Sequence, residues 1–228
     1  MCTSFIWRKD QVYIAMNFDL AAKFTLSTKD PKKFMILVDG APSFGINNNG
    51  MFINHLMVDA CEQVGYRRGK NVVHTVRLIT DVLNGRFVKE DLNEFLSEKE
   101  IVNVPNHSCH CMISDSKGNC WIVEPGRGTL YSQDTALPYC LMTNFSLIDQ
   151  RTNGNLVGSG RDRYLIVEEL LQKVSDFDYA TAFEVLAAVK QSEGNWKTRF
   201  SMVYAQKEKT VYYCFDGDFQ KIQQYVFG

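Results

Sequence analysis

The sequence predicts an α+β fold, and three observations carry that expectation. Secondary-structure signals run strands, helices, strands, helices, strands, in segregated blocks instead of a repeating βαβ wind. Two separate helix groups suit a four-layer αββα sandwich, with two antiparallel sheets inside and one helix group outside each. No Gly/Ser/Pro-rich linker divides the chain, so residues 1–228 are expected to form a single domain.

The first element is a hairpin. Residues 3–7 and 11–16 are apolar, strand-forming arms around the polar turn Arg8-Lys9-Asp10. The compact run Phe34-Met35-Ile36-Leu37-Val38 reads as a buried strand. Asn47-Asn48-Asn49-Gly50 is a turn, because Asn and Gly tolerate positive φ, and a strand is expected to resume over 51–58. After Gly69, Val72, Val73, Val76, Ile79 and Leu83 share a helical face, and Gly85 stands where a C-terminal cap belongs. A short helix is expected over 89–96. The segment 109–123 reads as a second hairpin turning at Asp115-Ser116-Lys117-Gly118-Asn119, and 141–144 as a strand end. Two amphipathic helices follow at 161–174, with Leu165, Ile166, Leu170 and Leu171 as its apolar set, and at 179–189. A hairpin of 200–204 and 211–215 closes the chain.

Charge and composition exclude several function classes. Lys and Arg number 25 against 26 Asp and Glu, so no basic footprint for nucleic acid exists. The longest apolar runs fall far short of the roughly 20 residues that a membrane span needs. Arg8, Lys9 and Asp10 interrupt any apolar leader. Seven irregularly spaced cysteines then suggest reduced thiols and a cytoplasmic location. His107, Cys109, His110 and Cys111 look like a metal cluster at first sight. On a strand, though, Cys109 and Cys111 face opposite to His110, so buried strand residues are expected and no metal or other cofactor is implied.

Cys2 is the sharpest chemical feature. Removal of Met1 would leave one residue holding both a thiol (ordinary pKa about 8.5) and a free α-amine (about 8). That pairs a soft nucleophile with its own proton acceptor, as in N-terminal threonine nucleophiles.

The residues around it carry a resemblance. Met1-Cys2-Thr3-Ser4-Phe5 followed by Ala15-Met16-Asn17-Phe18-Asp19 resembles the opening of the choloylglycine hydrolase/penicillin V acylase group of N-terminal nucleophile (Ntn) hydrolases, related to acid amidases. Gly45-Ile46-Asn47-Asn48-Asn49-Gly50-Met51 is similar to that family's Gly-x-Asn-x-x-Gly-Leu turn. The stretch from His110 to Glu124 is similar to its hairpin ending in Val-Glu. Leu141-Met142-Thr143-Asn144, Arg163-Tyr164 and Ser201-Met202-Val203-Tyr204 resemble later motifs in the same order, so the likeness spans essentially the whole chain.

The resemblance implies the Ntn hydrolase fold and a Cys2 nucleophile attacking a linear amide to give an acyl-thioester. It implies Asp19 beside the α-amine, Asn144 as an oxyanion donor and Arg163 near the thiolate, with Arg161 as an alternative to Arg163. A backbone N–H near Asn54 would be the second oxyanion donor. Met16 replaces the family's arginine beside the nucleophile, which bears on rate and substrate class. The chain is shorter than many bile-salt hydrolases, so the substrate expected is a small-molecule N-acyl amide with an apolar acyl group. Neither nucleic acid nor membrane is expected as a partner, and a homo-oligomer is left open. Two alternatives also stay open: a catalytically degenerate Ntn-fold ligand-binding protein, and another Ntn subgroup such as a dipeptidase-like or acyltransferase enzyme.

Overall fold

The computed structural model describes residues 2–61, 65–132, 137–154 and 157–228. From the N-terminus come β1 (Thr3–Arg8), β2 (Val12–Leu20), β3 (Phe24–Ser27), β4 (Lys33–Val38), β5 (Ala41–Asn47), β6 (Phe52–Ile53) and β7 (Leu56–Met57). Next are β8 (Val72–His74), α1 (Thr75–Leu83), α2 (Leu92–Glu98), β9 (Glu100–Val102), β10 (Cys109–Ser114), β11 (Cys120–Glu124), β12 (Gly128–Ser132) and β13 (Tyr139–Met142). The chain ends with α3 (Leu147–Asn153), α4 (Arg161–Lys173), α5 (Tyr179–Ala188), β14 (Lys197–Ala205), β15 (Thr210–Phe215) and β16 (Gln223–Val226). Among the described residues no helix is long and apolar enough to cross a membrane.

Two antiparallel sheets form the centre. One has six strands in the order β13-β1-β2-β14-β15-β16; the other runs β12-β11-β10-β6-β5-β4-β3, with β7 added beside β10. Strand alternation sends successive side chains to opposite faces, and each sheet is apolar on both. Ile6, Ile14, Met16, Phe18, Phe200 and Met202 of the first sheet meet Phe34, Ile36, Phe44, Phe52, Met112 and Ile122 of the second. The outer face of the first sheet, with Phe5, Trp7, Tyr13, Ala15 and Val203, packs on α4 and α5. The outer face of the second, with Ile53, Cys111, Ile113 and Val123, packs on α1 and α2. The result is the four-layer αββα sandwich, with one small parallel pair, β8 with β9, outside the two main sheets.

Several local expectations change. The strand expected over 51–58 is broken into β6 and β7 at Asn54, whose side-chain oxygen takes the Met112 N–H (2.9 Å) in place of a backbone acceptor. Val72 and Val73 leave the expected helix and pair as β8 with Glu100–Val102, as suits β-branched residues. The helix expected over 89–96 begins at Leu92, because the Asp91 side chain caps the N–H groups of Asn93 and Glu94. Helix α4 turns Arg163, Val167 and Leu171 inward with Leu170 packed beside them, so the expected apolar set is half right: Leu165 and Ile166 are exposed. β3, β9, β12, β16 and α3 had no clear sequence signal.

Candidate active site

Hydrogen bonding brings Cys2, Asp19, Asn144 and Arg163 together at one end of the six-stranded sheet. β1 lies between β13 and β2, so its first residues sit between the segment after β13 and the last residues of β2. Thr3 pairs with Asn17, which places Asp19 two residues beyond that pair. Asp19 was expected to follow the strand; it lies within β2, because the ladder with β14 carries β2 on to Leu20.

The Cys2 backbone nitrogen donates to Asn144 Oδ1 at 2.7 Å, and its sulfur lies 3.8 Å from the Asp19 backbone carbonyl. The thiol belongs to the face between the sheets, among Met16 and Phe18. Asn17 and Asp19 alternate to the helix-covered face, where Asn17 Nδ2 donates to the Leu186 carbonyl of α5 (2.8 Å). The Asp19 Oδ1 accepts from Thr198 Oγ1 at 2.6 Å.

Arg163 joins these parts. Its Nη1 donates to the Cys2 carbonyl (2.5 Å) and to Thr3 Oγ1 (2.7 Å), and its Nη2 donates to Asn144 Oδ1 (2.8 Å). The same Nη1 is 3.9 Å from Asp19 Oδ2. At 2 % exposure the guanidinium is inside the protein, whereas Arg161 is exposed, so Arg163 is the arginine in the cluster. Its hydrogen bond to Cys2 runs to the backbone carbonyl, and its charge stands near enough to the thiol to favour the thiolate. Gly160, at φ 78°, makes room for it: a Cβ there would stand 2.5 Å from Arg163 Nη2. The Gly160 carbonyl accepts from Thr143 Oγ1 at 3.1 Å.

Asn144 Nδ2 donates to the Met57 carbonyl at 2.7 Å, leaving a second N–H on the same nitrogen. A backbone donor was expected near Asn54; the N–H of Asn54 itself is committed to the Met112 carbonyl at 3.1 Å. The Asn54 side chain instead points its Nδ2 at the Met16 sulfur, 3.9 Å away. Met16 itself is fully buried, so a thioether occupies the place that the resemblance gives to an arginine. The expected removal of Met1 concerns a residue outside the described ones.

Burial sets the electrostatics. It pushes the Cys2 thiol up to about 11, helped by the negative charge of Asp19 and opposed by Arg163. Burial also raises the Asp19 carboxyl to about 6, against the Thr198 hydrogen bond and the Arg163 charge. A thiol held this high needs a proton acceptor before it can attack.

A second buried network, built on two residues that the sequence named but did not join as a pair, adjoins Asn144 through Thr143. His110 Nε2 is 2.8 Å from the Thr143 carbonyl and Nδ1 is 3.3 Å from Glu124 Oε1. Burial opposes the Glu124 charge, but His110, Ser146 and the Leu147 N–H hold its carboxyl below the ordinary range. Both His110 nitrogens thus face oxygen atoms, one on the backbone and one on the Glu124 side chain. The sequence signal was only the spacing of His110 and Glu124 on two arms of one hairpin. Among the described residues no three His, Cys, Asp or Glu side chains converge to hold a metal.

Beside Asn144 opens a cavity of about 220 Å³ lined by Met57, Val58, Asp59, Asn144, Ser159 and Trp196. Trp196 also lines a cavity of about 440 Å³ with Leu20, Lys197 and Arg199. Nothing in the sequence pattern distinguishes this tryptophan from the other two.

No family model matches the chain, and no curated protein matches it in sequence. Solved structures do match in shape. A Cys-to-Ala variant of conjugated bile acid hydrolase from Clostridium perfringens superposes with a TM-score of 0.72 at 16% identity, covering 99% of this chain and 92% of that one. Penicillin V acylase from Agrobacterium tumefaciens gives 0.65 at 16% identity, over 100% and 92%. A Caenorhabditis elegans ortholog of N-acylethanolamine-hydrolyzing acid amidase gives 0.57 at 12% identity, over the full length of both. These neighbours are Ntn hydrolases, and the chain has their fold.

Proposed function

We propose that this protein is an N-terminal cysteine amidohydrolase that cleaves a small-molecule N-acyl amide through an acyl-thioester on Cys2. One observation carries the reading: Cys2 is held by its backbone, with its nitrogen on Asn144 and its carbonyl on Arg163. Such a clamp fixes the α-nitrogen and leaves the thiol to react. Once Met1 is removed, the nitrogen is an amine and accepts the thiol proton. The thiolate attacks the amide carbonyl carbon. The second N–H of Asn144 is available to the developing oxyanion. Collapse breaks the C–N bond, the leaving amine takes the proton, and water then hydrolyses the thioester to a carboxylic acid and free Cys2. Asp19 and Arg163 act on this sequence by holding the amine and the Asn144 side chain.

A second reading is a ligand-binding protein without turnover. The observation in its favour is Met16, an uncharged and fully buried side chain where the related motif has arginine. One experiment separates the two. Penicillin V, an N-acylethanolamine and a conjugated bile acid are each incubated with wild type and Cys2→Ala, and carboxylic acid release is followed by mass spectrometry. The hydrolase reading expects turnover of at least one amide by wild type and none by Cys2→Ala. Equal release by both proteins, or Met1 retained in turning-over enzyme, overturns it. A stoichiometric adduct on Cys2 without further acid release supports the second reading.

A further inference from the structure

Far from Cys2 in sequence, two other cysteines meet across the sandwich. Cys120 opens β11 in the eight-stranded sheet, and Cys140 lies in β13, the edge strand of the six-stranded sheet. Their sulfurs are 2.8 Å apart, and both are free thiols. Non-bonded carbon atoms settle at about 3.5–4.0 Å and sulfur is larger, whereas a disulfide bond is about 2.05 Å. The pair therefore stands well inside non-bonded contact.

We infer that Cys120 and Cys140 are a reversible oxidation site that forms a disulfide between the two sheets when the protein meets a peroxide. The inference is independent of the hydrolase reading. The two thiols differ in the manner such a step needs. Cys120 is buried, while Cys140 is partly exposed. The Cys120 thiol donates to Cys140, and with Arg8 and Arg151 this holds the Cys140 thiol below its ordinary value. Burial raises Cys120. Cys140, the more accessible of the two thiols, is the one that meets the peroxide and reacts as its thiolate. It attacks one peroxide oxygen, the O–O bond breaks, and hydroxide leaves to give the sulfenic acid. Cys120 then attacks that sulfur, the S–O bond breaks, and the departing hydroxide takes the Cys120 proton as water. The peroxide is reduced by two electrons and the two thiols are oxidised by two.

The bond would staple β11 to β13. Cys140 faces Ile6 in the ladder between β13 and β1, so the staple reaches the strand that presents Cys2.

Trypsin makes the test direct, because residues 118–127 and 128–151 are separate peptides with one cysteine each. Full-length protein is treated with hydrogen peroxide until methionine oxidation is detectable, its remaining thiols are alkylated under denaturing conditions, and the digest is read by mass spectrometry. The expected result is one species joining the two peptides, lighter than their sum by two hydrogens and separated by reductant. The Tm of wild type should rise on oxidation, and the Tm of Cys140→Ser should not. Recovery of the two peptides as separate alkylated or over-oxidised species, or either one joined to another cysteine, overturns the inference. Because the peptide result is read on wild type, it holds even if the variant fails to fold.

Discussion

At the residue scale, the cluster depends on charges that are individually costly inside a protein. Asp19 is the clearest case. Its native pKa of about 6 lies above the ordinary carboxylate value, so the folded state holds the proton more tightly than the unfolded chain. The stability that this group contributes is complete below about pH 4 and is lost as pH rises through about 6. Urea titrations of wild type and Asp19→Asn across that window should therefore diverge, with wild type losing stability relative to the variant as pH rises. Parallel curves would mean that the carboxyl titrates normally. Asn144→Ala tests the donor role. Loss of one oxyanion donor costs about 10²–10³ in kcat in a protease, and a donor used only in the transition state lowers kcat and kcat/KM together. A rise confined to KM would make Asn144 a substrate-binding residue. Cys61→Ala serves as the control, since Cys61 lies outside the cluster and should leave activity largely intact.

At the scale of elements, the strands that carry Cys2 and Asp19 were readable, because alternation and a short polar turn mark a hairpin whatever surrounds it. The choice between Arg161 and Arg163 was not readable. Two positions on a helix separate by about 200° around its axis, and only packing decides which faces inward. Apolar content was only a partial guide in α4: Leu170 and Leu171 pack inward, but Leu165 and Ile166 face solvent while a guanidinium is buried. Asn54 is similar: its backbone N–H and side-chain oxygen are both committed to Met112, a partner 58 residues away that no local pattern reveals. The His110–Glu124 pair makes an element-scale prediction. It ties the hairpin β10–β11 to the segment that carries Asn144 and to the start of α3. His110→Ala would remove one of the three hydrogen-bond partners of the buried Glu124 carboxylate, and a lost hydrogen bond to a charged group costs about 1.5–3 kcal/mol. Chemical denaturation should show a loss of that size.

At the scale of the molecule, the layers were legible in the order of elements, and the packing between them rests on aromatic rings. Phe200 is fully buried and makes ring contacts with Phe24, Phe34, Phe44, Tyr213 and Phe215. Those partners come from both sheets, so this one side chain joins the two halves of the core. Phe200→Ala should lower unfolding free energy by about 3–5 kcal/mol, measured from the shift of the urea midpoint at constant slope. The edge-to-face and stacked geometries add to simple burial, which places the loss towards the upper end of that range.

The room left by Gly160 has a consequence for any survey of this protein by mutation. A search for functional positions that replaces only polar and charged residues would pass over it, since it offers no group to remove. Yet a single added methyl at Gly160 would collide with the Arg163 guanidinium and also demand a left-handed backbone from an L side chain. The arginine could then no longer hold Cys2 and Asn144 at once. Gly160→Ala should thus mimic the loss of Arg163 while every reacting group stays chemically unchanged, and the position least visible to chemistry becomes one of the least tolerant of change.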